Sequence, residues 1–417
     1  MKNVLKAFFI HKSICFFYSI GIYFLYIIMK PFHIAFVIPS IDHKSGGPSA
    51  AIAFIAKTLL DLGHKVTLLT TDKNIDPKEG GMIELDPQVD LRIFPLKGKI
   101  NQKLIHSPHL VFWLKQHISQ FNLLDIHSIW SLITSQSAKI ALQNNIPYIF
   151  TPHGMTSRWD FNKHPLAKSF FYFFHFKKQW EKANAIRFVT EKEKNDCILP
   201  INSFCAIIPY FIEIPKEILE EKPKAIINEI ILPKNDPVLL FLGRIDAQKG
   251  VIEMLQAFDY AWRQNPKIHF FVVGPSSGIY GQKAYCIYQS LQSKSHIHWL
   301  GPVYGKDKWY LFKRADIFIT LSKNEGLPIA VVEALGMGKP VIVTRECNIF
   351  GLDRYGCGIY VNDNPEEVAS SLLLLIENNE RLLEMGKKAR HFYESHYSQE
   401  VVSQKLIDFY FQIIRNK

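Results

Sequence analysis

Cysteine is scarce and unpatterned in this chain: six residues in 417, at Cys15, Cys197, Cys205, Cys286, Cys347 and Cys357. They form no C-x-x-C pair and no metal-ligand rhythm. That excludes a disulfide scaffold and a cysteine-based metal module, and it suits a reducing cytoplasm with thiols used as small apolar packing groups. Acidic residues are in deficit, 38 against 49 lysines and arginines, and the net charge of +11 points to an anionic partner. Nucleic acid, a membrane surface and a phosphorylated substrate all fit that charge. Low-complexity runs, short repeats and a G-x-G-x-x-G fingerprint are lacking too. What remains, at 48% apolar and 21% charged, is a globular chain too long for one core, so two domains are expected.

The one long hydrophobic run lies at the start. Ile14 to Met29 is almost wholly apolar and aromatic, with Lys2, Lys6 and Lys12 before it and Lys30 after. It is short for a relaxed bilayer span but within the tolerated range, and no small-residue cleavage site closes it. Two readings follow for residues 1–30: a signal anchor with its positive end inside, or a translated leader with Met29 as the true start.

Beyond the leader, short apolar runs alternate with helical patterns. Strands are predicted at His33–Pro39, Lys65–Thr71, Asp125–His127, Tyr148–Thr151 and Ile186–Thr190, with amphipathic helices at Pro48–Leu62 and Trp130–Gln143. A second series repeats the plan at Val238–Leu242, His269–Val273, Ile297–Leu300, Ile317–Leu321 and Val341–Thr344. Near-continuous apolar strands alternating with helices argue parallel sheets covered on both faces. The stretch Pro209–Pro237 reads as a linker, placing a domain boundary near residue 205. A last helix, Ser398–Arg415, begins at a plausible Ser398 cap. Two doubly wound domains place a ligand where their strand carboxyl ends face each other.

Four segments carry chemistry. Glu325-Gly326-Leu327-Pro328-Ile329-Ala330-Val331-Val332-Glu333 follows a strand, turns at Gly326 and enters a helix at Pro328, where a missing N–H costs nothing. The helix start suits a diphosphate. Glu325 before the helix and Glu333 about two turns along can face one ligand. Gly243-Arg244 leaves another strand and Lys249-Gly250 follows five residues later, a natural diphosphate clamp. Ser45-Gly46-Gly47-Pro48 joins the first strand to a helix, which an ordinary turn would also do. Thr151-Pro152-His153-Gly154 ends a strand, with Gly154 permitting close approach. His127, at the end of its own strand, could line an acceptor side or simply pack in the core.

The first two segments, with the flanking Ala315–Ser322 and Gly338–Ile342, resemble the E-x7-E and G-R-x4-K-G elements of retaining glycosyltransferase family 4. The resemblance covers about residues 31–417. It implies an α/β GT-B fold, two Rossmann-like doubly wound domains facing a central cleft. The acceptor domain would span 31–205, the donor domain 206–397, and residues 398–417 would form a helix crossing back to the first domain. It implies a metal-independent hexosyl transfer, without cofactor, from a UDP- or GDP-sugar to a saccharide or lipid-linked acceptor, as in polysaccharide, lipopolysaccharide or glycolipid synthesis. Glu325 would sit beside the donor sugar and Glu333 on the ribose. Arg244 and Lys249 would neutralise the leaving phosphates, and His153 would meet the sugar across the cleft. Gly46, Gly47, Gly243, Gly274, Gly326 and Leu327 would complete the donor site. The family often carries glycine where this chain has Pro328, so the backbone groups that meet the diphosphate stay open.

The positive charge then has a phosphorylated substrate to account for it, and nucleic acid is not required. An anionic membrane is a further expected partner. Arg158, Lys163, Lys168, Lys177, Lys178, Lys182 and Arg187 are interleaved with Trp159, Phe161, Phe170, Phe171, Tyr172, Phe173, Phe174, Phe176 and Trp180, a mixture that fits an interfacial helix. The bland reading is a core helix beneath snorkelling lysines. The expected location is cytoplasmic, at the inner face of the cytoplasmic membrane. A competing class, a non-catalytic nucleotide-sugar or polyanion-binding module at the membrane, has no need for an acid beside a reacting sugar.

Overall fold

The computed structural model describes residues 31–42, 47–75, 81–215, 232–233, 235–276 and 278–416. The leader and its apolar run fall outside these. Among the described residues no helix is long and apolar enough to cross a membrane.

Two parallel sheets organise the chain. The first contains β1 (His33–Val37), β2 (Lys65–Thr71), β3 (Asp90–Phe94), β4 (Leu123–His127), β5 (Tyr148–Thr151), β6 (Ala185–Phe188) and β7 (Phe204–Ile207), in the order β3-β2-β1-β4-β5-β6-β7. The second contains β8 (Val238–Leu242), β9 (His269–Val273), β10 (Ile297–Gly301), β11 (Ile317–Thr320), β12 (Val341–Val343) and β13 (Gly358–Tyr360), in the order β10-β9-β8-β11-β12-β13. Central strands such as β4 and β9 are buried at every residue, as a sheet covered by helices on both faces requires. Each order reverses once, between β1 and β4 and between β8 and β11. Those reversals open the crevices in which doubly wound sheets take ligands.

The helices that position the site are α1 (Gly47–Asp61), α2 (Leu132–Gln143), α3 (Pro165–Phe171), α4 (Val251–Gln264), α5 (Ile329–Gly336), α6 (Asn379–His396) and α7 (Gln399–Arg415). Side-chain caps set several starts. Ser131 accepts from the Thr134 amide, so α2 begins at Leu132 and Trp130 stays outside it. Ser398 caps α7 through Val401. Helix α7 then buries Val402, Leu406, Ile407, Tyr410 and Ile413 against Phe32, Ile34, Ile55 and Leu59 of the first domain.

The boundary expected near residue 205 falls inside β7, which pairs with β6 along Phe204–Ile207, so the first sheet runs past it. The following residues are not a loose linker at their start. Ile208 and Phe211 are buried in the first domain's core, and Tyr210 and Ile212 in a cluster that joins the second domain to Ala51 and Val189 of the first. The predicted strand Ile186–Thr190 stops at Phe188, because Val189 donates to Glu193 and Thr190 caps the helix Glu191–Asn195.

Candidate active site

The second domain's crevice is assembled by close backbone packing at the ends of β8, β9 and β11. At Gly274 (φ +146°) an added Cβ would lie 1.8 Å from the Gly243 carbonyl oxygen, and at Gly250 (φ +68°) 2.4 Å from that of Leu321. Only glycine fits either place. The loop Gly243–Gly250 is thereby pressed onto the loop after β11. Lys323 donates its amide to the Gln248 carbonyl at 2.7 Å, and the Gln248 amide side chain donates to the Asn324 carbonyl. Glu325 is held through its own peptide groups: its N–H donates to Glu346 at 3.1 Å and its carbonyl accepts from the buried Asn348 side chain. The Glu325 carboxylate accepts from the Lys249 ammonium, both side chains being mostly buried. Arg244 lies 3.2 Å from Asp246 and is 56% exposed.

Pro328 is the N-cap of α5 and the helix itself begins at Ile329. Glu333 therefore stands just over one helical turn in, nearer the positive end than the sequence spacing from Glu325 indicated. Its carboxylate is buried and accepts from Lys308 at 2.6 Å. Leu327 packs with Val331 and Val332 beneath this helix start. Each acid of the E-x7-E pair thus carries its own lysine, and neither lysine is close to its acid in sequence.

The first domain meets this arrangement with its backbone. His153 and Gly154 are both in the left-handed region, φ 56° and 79°. A Cβ built at Gly326 would lie 3.8 Å from the His153 carbonyl carbon, and the Thr190 hydroxyl donates to the Gly326 carbonyl at 3.4 Å. The His153 ring is engaged behind the loop: Nδ1 bonds the Tyr210 hydroxyl and Nε2 is 2.8 Å from Nδ1 of His127. Nε2 of His127 lies 3.2 Å from Asp125. That last approach is electrostatic and makes no hydrogen bond. With Tyr210 O–H donating to His153 Nδ1, the proton between the rings sits on His153 Nε2 and is donated to His127. Asp125 also accepts from Thr151 at 2.8 Å and from Tyr410 of α7 at 2.6 Å.

Electrostatics keep this chain of groups in that form. Burial alone would raise the Asp125 carboxyl, but His127, Arg187 and the Tyr410 hydroxyl hold it well below the usual carboxylate range. Burial, reinforced by His127 and Arg187, lowers His153 well below the ordinary histidine value and keeps it neutral. Glu193 accepts from the amides of Gly154 (2.5 Å) and Val189 (2.7 Å), fixing the loop from its other side.

Glu325, Glu333, Lys249, Gly243, Gly274, Gly326 and Leu327 are brought to one crevice, with His153 facing them from the other domain. Arg244 stands at its rim, with its guanidinium on Asp246. Gly47 opens α1 at the end of the loop after β1, and Gly46 lies outside the described residues. The acceptor-side role expected of His127 is corrected. Its side chain is fully buried, so it acts behind His153 and does not line a surface. Lys308, Tyr210, Glu193 and Tyr410 carried no local signal in the sequence.

The two parallel-sheet domains and their facing loops define the GT-B fold. A family model for "Glycosyl transferases group 1" matches residues 223–392 and one for "Glycosyltransferase Family 4" matches residues 45–212. The chain belongs to this family of glycosyltransferases. It is 23% identical over 392 residues to the alpha-monoglucosyldiacylglycerol synthase of Acholeplasma laidlawii, covering 88% of this chain and 94% of that protein. To the putative teichuronic acid biosynthesis glycosyltransferase TuaC of Bacillus subtilis it is 26% identical over 222 residues, about half of each chain (52% and 52%). Among solved structures, Anabaena HepE in complex with UDP and glucose superposes with TM-score 0.70 at 16% identity, covering 91% of this chain and 99% of that one. Sucrose-phosphate synthase from Thermosynechococcus elongatus does so with TM-score 0.70 at 17% identity, covering 92% and 100%.

Proposed function

We propose that this chain is a retaining glycosyltransferase that moves a hexose from a nucleotide-diphosphate sugar, UDP- or GDP-linked, to a saccharide or lipid-linked acceptor. The product class is a cell-envelope polysaccharide, lipopolysaccharide or glycolipid. The observation that carries the reading is the Lys249–Glu325 pair beside the start of α5, with Glu333 one turn inside that helix. A diphosphate at the helix start competes with Glu325 for Lys249, and the released carboxylate then takes the sugar hydroxyls. HepE's complex with UDP and glucose supports a UDP-sugar. The diacylglycerol in the name of the Acholeplasma laidlawii relative supports a lipid-linked acceptor.

In the proposed step the bond from the anomeric carbon to the phosphate oxygen breaks while the acceptor oxygen approaches the same face. The acceptor proton passes to the departing phosphate oxygen, so no carboxylate becomes covalently attached to the sugar. Lys249, Arg244 and the unpaired amides of the α5 start stabilise the charge that builds on the diphosphate. Because its ring is taken by Tyr210 and His127, His153 meets the sugar through its main chain. This chemistry calls on no metal ion or further cofactor.

A panel of UDP-, GDP- and ADP-sugars tests the reading, followed by release of nucleoside diphosphate and by the anomeric configuration of the product. One donor class should be hydrolysed or raise the melting temperature, with retention. An inverted product, or no response to any donor, overturns it.

A further inference from the structure

Between β5 and β6 the helix α3 continues through a π-helical segment, Tyr172–Phe176, into the helix Lys177–Glu181. It carries two apolar stripes. Tyr172, Phe176 and Trp180, spaced by four, are buried in the first domain's core, and Trp180 donates to the Pro200 carbonyl at 2.8 Å. Leu166, Phe170, Phe173 and Phe174 lie on the other face and are 87%, 60%, 65% and 71% exposed. One stripe suffices to hold a helix on its domain. The second leaves four large side chains largely in water, which favours covering them.

Charge around this stripe identifies what covers it. Between residues 158 and 182 stand six lysines and arginines against the two carboxylates of Asp160 and Glu181. Arg158, Lys163, Lys177, Lys178 and Lys182 are exposed. Lysine is depleted in protein–protein interfaces, whereas lysines flanking protruding aromatic side chains suit an anionic lipid surface. Arg187, grouped with these cations on sequence alone, is 1% exposed and has no part in the patch.

The patch is tied to the cleft. The Trp130 indole, just after the end of β4, donates to the Met155 carbonyl at 2.9 Å and to Asp160 at 3.2 Å. Asp160 in turn accepts from Lys168 of α3 at 2.5 Å, and that ammonium lies 5.2 Å from the indole ring. Met155 is two residues past His153, so the exposed helix and the loop that meets Gly326 share one fastening.

We infer that Leu166, Phe170, Phe173 and Phe174, rimmed by Lys163, Lys177 and Lys178, dock the first domain on an anionic lipid bilayer beside the mouth of the cleft. Docking there lets an acceptor's lipid stay in the bilayer while its sugar enters from the side of Trp130. The acceptor part rests on the glycosyl-transfer reading; the docking itself does not.

The test compares the chain begun at Met29, which keeps every described residue and leaves out the apolar run that could hold lipid by itself, with its double variant Phe170→Asp/Phe174→Asp, and with Leu383→Asp, which alters an equally exposed leucine (61%) of the second domain. Partitioning is measured on phosphatidylcholine vesicles with and without phosphatidylglycerol. The wild type and Leu383→Asp should bind the anionic vesicles and be released as salt rises above about 0.1 M. The double variant should bind at least about tenfold more weakly. Unchanged binding of the double variant, or equal salt-insensitive binding to neutral vesicles, overturns the assignment. Binding of nucleoside diphosphate, followed in the same samples, reads the donor site separately: its absence from a wild type that docks normally rejects the transferase reading and leaves the surface standing.

Discussion

On the first-domain side of the cleft the ionisable side chains are sealed: Asp125, His127 and Tyr410 are fully buried and Arg187 nearly so. On the second-domain side Arg244 is more than half exposed, and Lys249 and Lys308 keep about a fifth of their side chains in solvent. Groups packed this deeply cannot follow a ligand, so what they offer it is a fixed backbone, the His153–Gly154 turn. Lysines resting on Glu325 and Glu333 can change partners when phosphate arrives. One face sets geometry and the other supplies movable charge.

The largest effect should come from the sealed side. Asp125→Ala leaves Arg187 and His127 buried without their charge partner and removes the acceptor of Thr151 and Tyr410. A loss of about 3–5 kcal/mol of unfolding free energy is expected, read from urea denaturation. A loss below about 1 kcal/mol, the worth of an ordinary hydrogen bond, would show that this face is not the rigid one. Next comes Lys249→Ala, which should raise the barrier to transfer by about 2–4 kcal/mol, seen in kcat/KM for the donor. Its loss of unfolding free energy should be smaller than that of Asp125→Ala, because Lys249 and Glu325 keep 17% and 12% of their side chains in solvent. Collapse of the fold in this variant would erase the contrast between the faces.

The centre of each sheet was legible in the sequence, and of the four edge strands only β10 was. Strands such as Leu123–His127 and His269–Val273, buried on both faces, read as unbroken apolar runs. Asp90–Phe94, Phe204–Ile207 and Gly358–Tyr360 were missed. Each has a neighbour on one side only, and their exposed or short stretches leave no such run. The same divide holds in the site. Glu325, Glu333, Arg244 and Lys249 stand beside turn residues that announce a strand end and a helix start. The hydroxyl that anchors Asp125 is 285 residues away in Tyr410, and His153 and Tyr210 are 57 apart; contact over such separations exists only after folding. The basic-aromatic segment left an interfacial and a core reading both open, because composition does not say which side of a helix faces the core. Phe176 and Trp180 went inward, Phe170 and Phe174 outward.

A smaller, pH-dependent effect sharpens the comparison further. Burial pushes the Glu193 carboxyl up to about 7 from its ordinary 4.5, against the opposing pull of the Val189 and Gly154 amides and Arg187. Raised in the folded state, it stabilises fully in acid, and that contribution is lost as pH rises through about 7. Urea midpoints at pH 5 and pH 8 should therefore fall more for wild type than for Glu193→Gln. A wild type that gains stability relative to the variant over this range would mean that the carboxylate is held ionised by its amide donors.

Calorimetric titration of UDP and GDP into three proteins tests the division between the faces most directly. Glu333→Ala removes a charged contact on the movable face and should weaken the nucleotide that binds wild type by about 1.5–3 kcal/mol. Tyr210→Phe removes one hydroxyl from the sealed face, 4% exposed, and should leave that affinity unchanged while lowering transfer. Nucleotide binding lost in Tyr210→Phe and intact in Glu333→Ala would contradict the assignment of the donor to the second domain.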